Sequence, residues 1–160
     1  MYLHRPEQQL GETMSGIIGA TGSKSGVIGL PHLRFKTGGF QRNLATASGL
    51  QAITGVGFKP VTGWFWAIKN AAKEMSVGWQ TRADGATPAT NDATAVQSYY
   101  HITSETWTMT YTKAIHLIHA SGGGSYSGYV DSWDSDGFTI MWAKDGSTGG
   151  QLECGYVVAG

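Results

Sequence analysis

Residues Gly55 to Ile68 read GVGFKPVTGWFWAI, a turn running into a strand, and the fold class follows from that pairing. Gly55 and Gly57 admit backbone angles that other residues avoid, and Pro60 fixes its own φ while pushing Lys59 towards an extended conformation. Val61 to Ile68 is then dense in β-branched and aromatic side chains. On a strand Thr62, Trp64, Trp66 and Ile68 share one face, and Val61, Phe65 and Ala67 the other. Both faces are apolar, which predicts a strand covered on both sides.

The texture repeats outward from there. Asp134 to Trp142, DSDGFTIMW, is a turn followed by a strand with Phe138, Ile140 and Trp142 on one face. Trp107, Met109 and Tyr111 alternate with Thr108, Thr110 and Thr112, a period of two that predicts one buried and one polar face. Further strands are expected at 33–36, 50–54, 76–80, 96–103, 114–119, 126–133 and 151–158, divided by turns such as Asp84-Gly85, Gly122-Gly123-Gly124 and Asp145-Gly146. Residues 70–76 alone could make a helix, of barely two turns. Short strands without long helices between them predict an all-β domain, an antiparallel jelly-roll-like β-sandwich over residues 32–160. The polar, Pro- and Gly-containing stretch 81–95 is the expected variable loop.

Composition agrees. Glycine takes 24 of 160 positions, roughly twice its ordinary share, which turn-rich β proteins tolerate and helices do not. Lysine plus arginine and aspartate plus glutamate number 11 each, so the basic footprint of a nucleic-acid or anionic-membrane binder is absent. Only 14% of residues are charged against 41% hydrophobic, which points to surface covered by partners. The lone Cys154 excludes a disulfide within the chain and suits a reducing cytoplasm. No apolar run marks a signal peptide or a membrane helix.

Residues 1–31 differ in kind. Gly16, Gly19, Gly22, Gly26 and Gly29 leave no window for helix nucleation, yet Ile17-Ile18 and Val27-Ile28 recur in the frames GIIG and GVIG. Exposed linker has no need of those β-branched pairs. They predict an extended N-terminal arm that orders by docking on a neighbour, through Ile17, Ile18, Val27 and Ile28 with Lys24 and Arg34 as polar partners.

Motifs for chemistry are sparse. Gly16 to Ser25 misses the phosphate-binding loop, because Ser23 separates Gly22 from Lys24 and the following glycines forbid the required helix. Aligning Gly137 with the sixth position of a calcium loop puts Ala143 where a bidentate glutamate is needed, so Asp131, Asp134 and Asp136 read as solvated turn carboxylates. His116 and His119 point to opposite faces of a strand, and no paired cysteines or HExxH support zinc. No cofactor, metal or catalytic set is expected. Core packing is the first reading of the six tryptophans; Trp133 beside Asp131 and Asp134 also fits a glycan-stacking platform.

The GVGFKP turn entering an aromatic strand, with DSDGFT further on, resembles a β-sandwich domain of small tailed-bacteriophage virion proteins. The segment GIIGATGSKSGVIG, Gly16 to Gly29, is similar to the Gly-rich leader of phage tail-fibre and head-associated proteins. The resemblance implies a non-enzymatic virion protein assembled in the host cytoplasm. Its first form is a capsid decoration (cement) protein or small head fibre, homotrimeric and bound to the major capsid protein or another virion protein. Its second is a tail-fibre or receptor-binding tip that binds surface glycans.

Overall fold

The computed structural model describes residues 33–69, 74–81, 83, 92–101, 104–118, 124–147 and 149–160. Ten strands run through them in chain order: β1 (Phe35–Asn43), β2 (Gly49–Thr54), β3 (Thr62–Lys69), β4 (Glu74–Gln80), β5 (Ala93–His101), β6 (Ser104–Thr110), β7 (Ile115–Ile118), β8 (Gly124–Asp134), β9 (Gly137–Gly146) and β10 (Gln151–Ala159). Every expected strand has its counterpart. The candidate docking residues Ile17, Ile18, Lys24, Val27 and Ile28 lie outside the described residues.

The strands form two antiparallel sheets, one of six in the order β1-β10-β3-β4-β5-β6 and one of four in the order β2-β9-β8-β7. They pack as a β-sandwich. The first and last strands pair along their lengths, Phe35 opposite Ala159 through Asn43 opposite Gln151. Two meanders, β3 to β6 and β7 to β9, complete the sheets.

Two boundaries depart from expectation, both for tertiary reasons. β1 runs past the expected end at Lys36 and through Gly38 and Gly39, because β10 pairs with both. A Cβ at Gly38 would collide with the hydroxyl end of the Tyr156 side chain, so a side chain there would have to displace that ring. The short helix expected over 70–76 is overturned at its C-terminal end: Glu74 to Ser76 belong to β4, with Met75 opposite Ile68. Ladder pairing on both sides of β4 outweighs a weak local propensity. Of the expected loop 81–95, Ala93 to Ala95 lie in β5.

The core sits between the sheets and centres on Phe138. Phe65, Tyr156, Trp133 and Phe40 surround that ring edge to face, with centroid distances from 5.1 to 6.4 Å. Trp142 stacks beside Tyr126 at 5.3 Å. Such pairs add roughly 0.5–1.5 kcal/mol each beyond the area they bury. Towards β4 and β5 the inter-sheet space narrows. Ser76, Gly78, Ala93 and Ala95 face inward there, and a Cβ at Gly78 would collide with the Ala114 and Thr94 carbonyl oxygens. Small inward residues therefore let β7 lie directly on β4 and β5.

Buried polar groups bind the two layers. The Gln80 side chain, wholly buried, donates from Nε2 to the Val130 carbonyl (2.6 Å) and accepts the Val130 N–H at Oε1 (2.7 Å). Those bonds fall beside the register shift between Val130 and Ser132 in β8. A bulge leaves backbone groups unpaired in the ladder. Gln80 satisfies them from the opposite sheet. Lys69 and Glu74, both buried, pair at 3.4 Å.

Candidate interaction face

The inward face of β3 carries Phe65 and Ala67 in the core, so alternation sends Trp64, Trp66 and Ile68 outward. Register then extends this apolar set across the six-stranded sheet. Trp64 lies opposite Val157 of β10 on one side and Trp79 of β4 on the other. In the next row Trp66 lies opposite Val77, Val77 opposite Val96, and Val96 opposite Met109. The third row takes Ile68 to Met75 and, beyond β5, ends on Trp107. Trp64, Trp66, Ile68, Met75, Val77, Trp107, Met109 and Tyr111 are between 40 and 62% exposed.

This corrects three expectations. β3 is covered on one face only by the described residues. The Trp107, Met109 and Tyr111 face of β6, expected to be buried, is the exposed one. Trp64, Trp66 and Trp107 are surface residues, whereas Trp133 and Trp142 are in the core. On β4 and β5 the physical reason is local: Ala114 and β7 lie so close to Gly78 and Ala95 that only small side chains fit at that point. On β3, Phe65 and Ala67 fill the core and leave the tryptophans outward.

The face is also nearly free of charge. Glu153, opposite Ile68 on β10, is its one carboxylate on β3, β4 and β10, and it accepts a hydrogen bond from Gln41 Nε2 at 2.8 Å. Gly155 leaves space for the Trp66 indole to lie down on β10; a Cβ at that position would fall within the ring. The outer surface of the other sheet presents Ala52, Thr54, Thr139 and Ala143 around the exposed Leu50, which lies opposite the half-buried Met141.

The remaining candidate residues are placed as follows. Arg34 is exposed and pairs through its backbone with Gly160, at 2.9 and 3.1 Å. Trp133 is 8% exposed, stacks on Phe138 and donates Nε1–H to the Thr81 carbonyl at 3.3 Å, so no open ring face is available there for a sugar. Asp134 accepts from the Ser132 and Thr139 hydroxyls, each at 2.8 Å, within its own hairpin. Asp131 is half-buried at the bulge. Asp136 is not a free turn carboxylate: it accepts the Gly55 and Gly57 N–H groups at 3.1 and 2.6 Å.

Around β7, burial, with Lys113 nearby, holds the His116 imidazole below its ordinary pKa. Its Nδ1 is buried without a hydrogen-bond partner among the described residues. Burial likewise lowers Lys113, whose ammonium sits 4.7 Å over the Tyr129 ring. Ser76 Oγ accepts the His116 backbone N–H at 3.0 Å, which ties that hydroxyl to strand packing. Burial, and secondarily Glu153, pushes the Cys154 thiol well above the usual range. Among the described residues no three His, Cys, Asp or Glu side chains gather to hold a metal ion.

What the arrangement offers chemically is apolar contact over a broad, flat surface. The sequence carried a signal of this in the double apolar face of β3, which asked for a second cover. Comparison of the chain with protein-family models, with curated proteins and with solved structures finds no match.

Proposed function

We propose that this protein is a non-enzymatic structural subunit that works by assembly, and that its assembly is a bacteriophage virion. The observation that carries the first part is the charge-poor apolar face on the six-stranded sheet. Contiguous apolar patches on ordinary monomers reach about 300–600 Å², and larger ones mark interaction sites. The second part rests on the resemblance of GVGFKP, DSDGFT and the Gly-rich leader to virion proteins.

In this reading the protein decorates the capsid as a cement protein or small head fibre. A subunit that binds only the assembled lattice stabilises it by its own binding free energy. The tail-tip alternative keeps the same leader resemblance and the 81–95 loop as its support. It does not keep Trp133 as an exposed platform, since that ring is packed in the core.

Immunogold labelling of intact particles, with antibody against this chain, tests the proposal. Regular label over the head, with heads that burst at lower temperature when the protein is absent, is the expected result. Label confined to the tail tip would transfer the protein to the fibre, and no label on any particle would overturn a virion role.

A further inference from the structure

Resting on that assembly reading, we propose a specific occupant for the apolar face: the same face of a further copy of this chain. The first support is area. At about 150–250 Å² for a large side chain, the outward residues of β3, β4 and β6, 40–62% exposed, present roughly 800 Å². That is about what each partner contributes to a standard stable interface. A face of this size suffices without help from other surfaces.

The second support is electrostatic. The chain has zero formal net charge, so copies do not repel one another. On β3, β4 and β10 the face offers no cation to recognise an acidic partner, and its carboxylate there, Glu153, is already engaged by Gln41. Its complement must therefore be apolar and uncharged. Among the described residues the surface that meets this description is the face itself. Sheets also stack naturally in this manner, about 10 Å apart with their side chains interdigitated. Trp66, lying down on Gly155, keeps the β10 side low enough for such an approach. Self-packing would supply the second cover that the pattern of β3 demands.

The test is analytical ultracentrifugation of the full chain across a concentration series, comparing wild type with Trp64→Lys and Leu50→Lys. Trp64 and Leu50 are almost equally exposed, at 57 and 58%, but lie on different sheets. Wild type and Leu50→Lys should sediment as the same dimer, the closed form that one face packed on its own copy gives. Trp64→Lys should weaken association by about a hundredfold or more, because a lone ammonium would be buried in an apolar interface.

A second measurement does not depend on that variant folding well. A short bis-maleimide should join copies of Met109→Cys and leave Leu50→Cys monomeric on a denaturing gel, native Cys154 being buried. A wild-type monomer at every concentration, or an oligomer indifferent to Trp64→Lys and not joined through Met109→Cys, overturns the inference. Regular head labelling together with a monomeric chain would retain the virion role and assign the face to another protein. Self-association without any virion label would do the reverse.

Discussion

The carboxylate of Asp136 holds the turn that opens β3: Gly57 donates its N–H to Oδ1 at 2.6 Å and Gly55 donates to Oδ2 at 3.1 Å. The Val56 N–H between them reaches the Asp136 carbonyl at 3.1 Å. Two turns far apart in the chain are thus one structural unit. Gly55 and Gly57 both take positive φ, 83° and 87°, which keeps their N–H groups converging on one acceptor.

Replacing Asp136 by Ala should therefore destabilise the domain by about 1–2 kcal/mol, the lower part of the range for charge-assisted bonds because the site is exposed. Asp136→Asn, which keeps one acceptor oxygen, should lose less. Urea midpoints of the two variants decide it. Equal losses would mean that the turn is held by its own backbone geometry.

Gln80 offers a sharper case. Substitution by Leu preserves most of the volume but orphans the Val130 N–H and carbonyl inside the sandwich. At about 1–3 kcal/mol for each of the two abandoned groups, a loss of about 2–6 kcal/mol is expected in chemical denaturation. A loss below 1 kcal/mol, roughly one ordinary hydrogen bond, would show that β8 re-pairs its bulge without help.

For Lys69 and Glu74 the prediction concerns non-additivity. Lys69→Met alone removes the ammonium beside a buried carboxylate and should cost about 3–5 kcal/mol. The double change Lys69→Met with Glu74→Leu should recover most of that loss, because two desolvation penalties disappear with the pair. A double variant as unstable as the sum of the singles would assign the site to packing.

His116 makes stability depend on pH in a known direction. Its pKa is lowered in the folded state by burial and then by Lys113. On acidification the unfolded imidazole takes up a proton that the folded one resists. The contribution is complete above the ordinary imidazole value and fades as pH falls below it. Urea midpoints measured from about pH 8 down to about pH 5 should drop more steeply for wild type than for His116→Gln. Parallel curves would show that folded His116 is protonated as easily as unfolded.

Much of the architecture was legible because its signals are local. Gly, Asp and Pro turns and runs of β-branched and aromatic residues located all the strands, since turn chemistry and strand propensity act within a few residues. The ends of β1 and β4 were not legible. Gly38 and Gly39 are kept in β1 by pairing with β10, and Glu74 is drawn into β4 by pairing with Tyr99 of β5. Those partners are distant in sequence. The bond from Asp136 to Gly57 was hidden for the same reason.

The apolar face shows the division most clearly. By itself the sequence determined an all-β chain, its strands, and two distinguishable faces on each strand. Tertiary structure alone decided which face turned inward. Alternation with a period of two sorts side chains into two sets without saying which set meets the core. Here β7 presses so closely on Gly78 and Ala95 that only small residues fit beneath it. On β4 that leaves Val77 on the outside; on β3, Phe65 and Ala67 fill the core and leave Trp64 outward.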